Sequence, residues 1–443
     1  NYGSMAWHLR ADGTFLVQEL DEGRYIDQVT VVEEAIPTAR AVNASDGICG
    51  FGFADGSFLT ARVAFVTEYF EDEDAPASLH GLAVGGRAVL DGGLVERTPE
   101  GQLRRQTLEF QRDDPIQVSE SPLVLVDVAP LSTGLALVAL DEAGVFHYRI
   151  ITRKTNMLTG QIRLSSRGGD MDLAAAGIDP GTGFTHLKVD DTGDLALLTA
   201  ADGLTYLLQK REGAFSLVGT QDLTGEPGVT VTSMAFLVGG ASLAVGDSQG
   251  GLTVWFPVRG EGTDPTTLAA AHVLKPGAAA VTALGPSSRS RMLAAGYADG
   301  TIRAFHVTSH RVLGEQAAET GPVHGITLAP REDLVLATGP EQAALLELEA
   351  PHGDVSLGVL IRPVWYEGYP GPAYVWQSSG ATDSFEPKLS LIPLIAGTLK
   401  ATFYSLLFGL PLAILAAIYT SEFLDKKVRA KVKPVIEVMA SLP

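Results

Sequence analysis

The chain has 443 residues, 46% of them hydrophobic and 19% charged, with a formal net charge of −20. This exceeds one ordinary domain, excludes a disordered chain and argues against nucleic acid as a partner, since such a protein needs a clustered basic face to neutralise phosphates. The single cysteine, Cys49, allows no intrachain disulfide, and within the apolar stretch "GICGFGF" it reads as a small buried side chain. The opening "NYGSMAWHLR" has no apolar core of signal-peptide length, so the chain is expected to begin after an upstream segment or in a tag remnant.

From residue 7 onward one unit recurs: a short apolar strand, a tight turn with glycine, then an alternating strand. "WHLRADGTFLVQEL" turns at Gly13, "GFGFADGSFLTARV" at Gly56, "LVERTPEGQLRRQTLEF" at Gly101 and "LALVALDEAGVFHYRI" at Gly144. "LALLTAADGLTYLLQ" follows at Gly203, "SLAVGDSQGGLTVWF" at Gly250, "MLAAGYADGTIRAFHV" at Gly300, and a degenerate "LVLATGPEQAALLELEA" near Gln342. The turns lie 43, 45, 43, 59, 47, 50 and 42 residues apart, the period of a four-stranded propeller blade. Asp-Gly supplies the positive φ angles of a two-residue hairpin turn. The first strand of each pair is small and apolar on both faces, as suits a strand between neighbouring blades. The second alternates, as in Thr301, Arg303 and Phe305.

"VTSMAFL", "VTALGP" and "FTHLKV" supply a further strand upstream of their turns, and stretches such as "RVLGEQA" an outer fourth. Residues 1–361 are therefore expected to be all-β, a seven-bladed β-propeller, with eight blades as the alternative and one blade open to closure by strands from both chain ends. The repeats "AAGYADGTIRAF" and "AVGDSQGGLTVWF" resemble WD40-type blades, with Trp255 in the place of the signature tryptophan. The full Gly-His to Trp-Asp signature is absent.

Four patterns invite a chemical reading. "GDSQG" at 246–250 matches the G-x-S-x-G nucleophile elbow, but Ser248 falls in a hairpin turn where that motif needs a strand-to-helix turn. "HVTSH" puts His306 and His310 four apart across a strand end and a loop, a poor setting for two metal ligands. The acidic run "EYFEDEDAP" at 68–76 reads as a solvated loop, with a cation or partner site as the alternative. No phosphate-cradling glycine motif stands in a strand–helix context. The protein is thus expected not to be an enzyme, with no catalytic, cofactor-binding or metal residue.

Residues 362–388, with Trp365, Tyr366, Tyr369, Tyr374 and Trp376 among prolines and glycines, read as a linker, either at a membrane–water interface or packed on the propeller's underside. Residues 389–443 then turn apolar. Ala401 to Tyr419 carry no charge, enough residues for a transmembrane α-helix, with Thr402, Ser405, Gly409 and Ala413 as a packing stripe and Pro411 as a kink. Lys426, Lys427, Arg429, Lys431 and Lys433, in the flank 422–434, place that flank in the cytoplasm by the positive-inside rule and the propeller outside it.

"IPLIAGTLKATFYSLLFGLPLAILAAIYTSEFL" followed by "RAKVKPVIEVMASLP" resembles the start of the permease core in the PstC-like subunit of phosphate-type ABC importers. The likeness covers roughly residues 365–443. It is specific over Gly397-Thr398-Leu399-Lys400, Pro411-Leu412, Ala417-Ile418-Tyr419, Glu422-Phe423, Lys433-Pro434 and Glu437 to Pro443. Some gammaproteobacterial members carry a large insertion before the core and a "WYEGY…YVWQSS" linker. The resemblance implies a permease subunit of a phosphate importer in a bacterial inner membrane, with the propeller in the periplasm. Implied partners are membrane lipid, a second permease subunit, a cytoplasmic ATPase subunit and a periplasmic phosphate-binding protein. Such permeases continue beyond "ASLP" with more helices and the loop that docks the ATPase, so the chain is expected to be a fragment, with no phosphate-contacting residue assigned. The alternative is a membrane-anchored propeller that acts as a scaffold for envelope protein assembly.

Overall fold

A computed structural model gives the fold of residues 4–32, 35–44, 46–155, 162–259, 266–380 and 385–441. The glycine turns fold as hairpins because their aspartates close them. Asp55, Asp202 and Asp299 each accept a hydrogen bond from the backbone N–H two residues on, at 2.9, 3.1 and 3.0 Å. At Gly300 the backbone takes φ 85°, and a Cβ there would stand 2.7 Å from the Ala318 carbonyl oxygen, so only glycine fits the turn.

Six sheets follow one another as blades. Blade 1 begins with Ala39–Asn43, Ile48–Gly52, Ser57–Phe70 and Leu103–Arg112. Blade 2 holds Leu123–Leu131, Gly134–Asp141, Val145–Thr155 and Ile162–Asp172. Blade 3 holds Phe184–Val189, Leu195–Ala200, Leu204–Arg211 and Ala214–Asp222. Blade 4 holds Val231–Phe236, Leu243–Asp247, Leu252–Arg259 and Thr266–Val273. Blade 5 holds Val281–Pro286, Met292–Tyr297, Thr301–His306 and Arg311–Ala317. Blade 6 holds Gly325–Leu328, Leu334–Thr338 and Ala343–Glu347. All pairings within the blades are antiparallel, and the first strand of each blade touches the first strand of the next. The second strands are buried almost throughout, so each blade shares an apolar core with its neighbour.

The expected seven or eight blades are corrected to six. The Gly101 turn builds no blade of its own. It joins Gly93–Arg97 to Leu103–Arg112, and this hairpin extends blade 1 outward. The Gly13 turn lies in a three-stranded N-terminal sheet, Met5–Leu9, Thr14–Glu19 and Tyr25–Thr30. That sheet packs on blade 1 through Phe15, whose ring meets Phe51 edge-on at 6.4 Å. The expected closure by strands from both ends does not occur: among the described residues the N-terminal sheet and blade 6 have three strands each and share none.

After blade 6 come helix α1, Leu357–Ile361, and a two-stranded ribbon, Trp376–Gln377 with Lys388–Leu389. Helix α2 runs Ile392–Ile418, starting nine residues before the expected 401 and passing Pro411 without a break. A π-helical turn, Tyr419–Phe423, leads to helix α3, Lys426–Ser441, so the basic flank is itself helical.

Candidate interaction site: the seam and the docked linker

The blades are tied at their first strands. The Thr38 hydroxyl donates to the carbonyl of Leu123 in blade 2 at 2.6 Å and to Gly52 in its own blade at 3.1 Å. Thr232 repeats this with Val281 and Gly246 at 2.6 and 3.2 Å, and Thr282 with Val323 and Gly296 at the same two distances. Between blades 2 and 3 the carboxylate of Asp127 takes the role, accepting from Val189 N at 2.9 Å and Lys188 Nζ at 3.0 Å. Each tie adds a side-chain hydrogen bond from one blade to the backbone of the next, and the Val281 carbonyl accepts from Ser233 as well, at 3.1 Å. The sequence carried this signal in the "VT" of "VTSMAFL" and "VTALGP", read above only as strand.

The ring is open between blade 6 and the N-terminal sheet. A cavity of ≈ 390 Å³ lies there, walled by Trp7, Leu9, Val42, Phe65, Leu336 and Leu345 among others. Both flanking sheets lack a fourth strand, so Ala343–Glu347 is an outer edge with no strand beyond it among the described residues. Leu345, Glu347 and Glu349 are exposed along one side of that edge. An exposed strand edge beside an apolar cavity is the surface by which a sheet accepts a further strand.

The linker, by contrast, is sealed onto blades 4 and 5. Glu367 pairs with the buried Arg291 at 2.8 Å and also accepts from Ser242, and Glu386 accepts from Thr308. Trp365 donates to the Tyr369 carbonyl at 2.8 Å and meets Phe256 edge-on at 6.2 Å. Tyr366 is fully buried, and Lys388 sits over its ring and those of Tyr369 and Phe385. Trp365 and Tyr366 thus pack on the propeller, while Tyr374 and Trp376 stay exposed. Under this dock His272 bonds His310, ring nitrogen to ring nitrogen, at 2.8 Å. Burial, then the neighbouring His310, lowers His272 to about 3, and burial lowers His306 to about 4. Nearby, burial and then Asp46, Asp190, Asp127 and Glu367 push the Asp191 carboxyl up to about 6.

The structure separates the chemical candidates. Ser248 lies in the turn between the second and third strands of blade 4, its hydroxyl accepting from Thr230 N at 3.1 Å. His306 and His310 do not converge, since His310 turns to His272 while His306 accepts from Ser309 N at 3.4 Å. Among the described residues no group of three or more His, Cys, Asp or Glu is placed to hold a metal ion. Cys49 is buried, and burial raises its thiol to about 12. In the acidic run, Asp72 binds the Arg97 guanidinium at 2.6 and 2.9 Å, and this hydrogen bonding lowers its carboxyl.

No family model matches the chain, and no curated protein does. Solved structures resemble it at low identity. The Cps50 (Swd1) β-propeller domain of Myceliophteria thermophila is 11% identical, with TM-score 0.49 over 78% of this chain and 93% of that one. Chaetomium thermophilum Sqt1, bound to the N-terminus of ribosomal protein L10, is 14% identical, with TM-score 0.43 over 78% and 82%. The computationally designed Ika8 protein is 16% identical, with TM-score 0.41 over 78% and 94%.

The permease expectation is corrected by the fold itself. A permease core is mostly helical, whereas the described residues form a β-propeller with one helix apolar enough to span a membrane. With it go the phosphate substrate, the second permease subunit, the ATPase subunit and the phosphate-binding protein as partners. The quoted likeness lay in an apolar helix and its flank, where composition is set by lipid and small residues recur for packing alone. Leu442 and Pro443, which closed that likeness, lie outside the described residues.

Proposed function

We propose that this chain is a membrane-anchored β-propeller scaffold that holds protein partners at a bilayer surface and does no covalent chemistry. The observation that carries this reading is α2. It is 27 residues long and none of its residues is buried. At 1.5 Å per residue it reaches about 40 Å, beyond the hydrocarbon thickness. A soluble protein gains nothing by leaving such a helix wet, since exposed apolar area costs roughly 25 cal/mol per Å². The sealed linker holds the propeller close to this anchor. The basic flank favours a cytoplasmic α3, with the propeller on the opposite side, in the bacterial periplasm.

The partner surface we propose is the open seam. Its apolar wall and the acids at the end of blade 6's outer strand, Glu347 and, just past it, Glu349, fit an extended partner segment with alternating apolar and basic residues. The membrane half is tested by comparing the full chain with one ending at Leu391, which keeps the linker. The shorter chain stays monomeric without detergent and the full chain floats with lipid vesicles. Equal behaviour of the two without lipid would overturn the reading.

A further inference from the structure

We propose that α3 is an in-plane membrane-surface helix that binds anionic lipid headgroups; this rests on α2 crossing the bilayer. Its position comes first. The π-helical turn Tyr419–Phe423 continues directly from α2, and Leu424 then takes an extended conformation, φ −77° and ψ 134°. The chain therefore leaves the α2 helix where the apolar span ends. Asp425 restarts it, its carboxylate accepting from Lys427 N at 2.8 Å and its carbonyl from Arg429 N at 2.8 Å. A helix begun there is held at the edge of the hydrocarbon.

Its faces come second. At about 100° per residue, Val428, Val432, Val435, Ile436 and Met439 fall within an arc of roughly 100°. Arg429 borders that arc on one side and Lys431 on the other, while Lys426, Lys427 and Lys433 lie opposite; of the valine, isoleucine and methionine side chains, only Val438 falls outside the stripe. Pro434 sits on the polar side, so the N–H it lacks does not interrupt the apolar face. Val428, Val435, Ile436 and Met439 are all exposed, Val432 is half-buried, and no residue of α3 joins a buried apolar cluster among the described residues. Long basic side chains beside an apolar stripe can bury their stems in lipid and raise their charges to the headgroups.

Charge decides the occupant. The helix carries five Lys or Arg against one acid, Glu437, in a chain of net charge −20. The acidic propeller would attract it, but with α2 across the bilayer the two stand on opposite sides. What remains within reach of a basic amphipathic helix at a membrane surface is anionic lipid, whose attraction falls off within a Debye length.

The test uses the full chain with Met439→Cys carrying an environment-sensitive dye; Cys49 is buried and escapes labelling. The protein is reconstituted into vesicles of phosphatidylcholine alone, or with about 30 mol% phosphatidylglycerol to supply the anionic surface. Lipids with brominated chains act as quencher. We expect quenching in the anionic vesicles and at least tenfold less in the neutral ones. High salt, or joint K426Q, K427Q, R429Q, K431Q and K433Q substitution, abolishes it. Ile436→Asp abolishes it as well, and both variants still float with the vesicles. A chain that floats while its dye stays in water, or one quenched equally in both lipids, overturns the proposal alone. A chain that floats with neither lipid overturns the membrane reading beneath it.

Discussion

The junction between blades 5 and 6 and the seam between blade 6 and the N-terminal sheet are made of the same kind of strand, yet only the first is sealed. At the junction, Thr282 donates across to Val323, and Ala294, Ile302, Val335 and Ala337 form one buried cluster. At the seam, the position of blade 6 that corresponds to Thr282 holds His324, which follows Val323 as Thr282 follows Val281 and brings no hydroxyl to donate. The apolar residues there line a cavity instead of a core. Apolar strands alone therefore do not close a ring. Closure needs a side chain that satisfies the neighbour's backbone, and small residues that let two sheets come together.

Core truncation should break this contrast with the largest effect. Ile302 is fully buried at the sealed junction, whereas Leu345 at the seam is 38% exposed. Ile302→Ala should cost about 3 kcal/mol through lost burial and a residual cavity. Leu345→Ala should cost less than about 1 kcal/mol. Denaturant midpoints of the two variants measure the difference, and equal losses would mean the seam is packed as tightly as the junction.

The linker dock adds a seal that responds to pH. The folded values of His272 and His306, about 3 and about 4, lie below the ordinary 6.5. The folded state thus binds fewer protons than the unfolded one. Stability from these neutral rings is full above pH 6.5 and is lost as pH falls from there toward the folded values. At pH 5 the loss is about 2 kcal/mol for each buried ring. Proteolysis within the linker should therefore rise between pH 7.5 and 5, and His306→Gln should flatten that rise. A linker equally resistant at both values would show that these rings do not hold the dock.

The propeller was legible because its turns are local. Asp-Gly at a steady spacing forces a hairpin wherever it occurs, and strands small on both faces have to lie between sheets. Blade number was not legible, because it depends on what a hairpin pairs with. The Gly101 repeat has the local pattern of a blade but pairs outward with Ser57–Phe70. The ties at Thr232 and Thr282 could have been found by aligning the repeats on "VT", since a threonine recurring at one strand position has a task beyond strand propensity, whereas Thr38 follows Pro37 and escapes that alignment. The linker's dock could not be found so. Its acids, Glu367 and Glu386, reach Arg291 and Thr308, 76 and 78 residues upstream, with no repeat to mark the pairing. The apolar helix was legible as a helix, but its resemblance to a permease rested on residues that any lipid-facing helix reuses.

The ties themselves should show a smaller effect than the core. Thr282→Val keeps the shape and removes the donor, leaving the Val323 carbonyl without its partner across the junction. The expected loss is about 1 kcal/mol. Thr327→Val, at the seam, should change stability by a few tenths at most. Unfolding curves of the pair decide whether the threonine ties seal the ring or only accompany the sealing.

The smallest effect belongs to Asp191, which lies close to Glu367 and packs its carboxyl against Gly240, while the residue as a whole stays in contact with solvent. Its folded value, about 6, stands above the ordinary 3.8, so here the folded state binds the proton more tightly. The sign is opposite to that of the histidines: the contribution is favourable below pH 3.8 and is lost as pH rises through 6. Asp191→Asn removes the carboxylate that Asp46, Asp190, Asp127 and Glu367 repel. It should raise the unfolding midpoint at pH 8 and leave it unchanged at pH 4. Water reaching this partly enclosed carboxylate screens the repulsion, which keeps the gain below that of any core change. Added salt should shrink it further, because the repelling charges reach Asp191 partly through solvent. A gain of the same size at pH 4 and pH 8 would show that the substitution acts through packing or hydrogen bonding, and that repulsion among these carboxylates does not limit how tightly the linker seats.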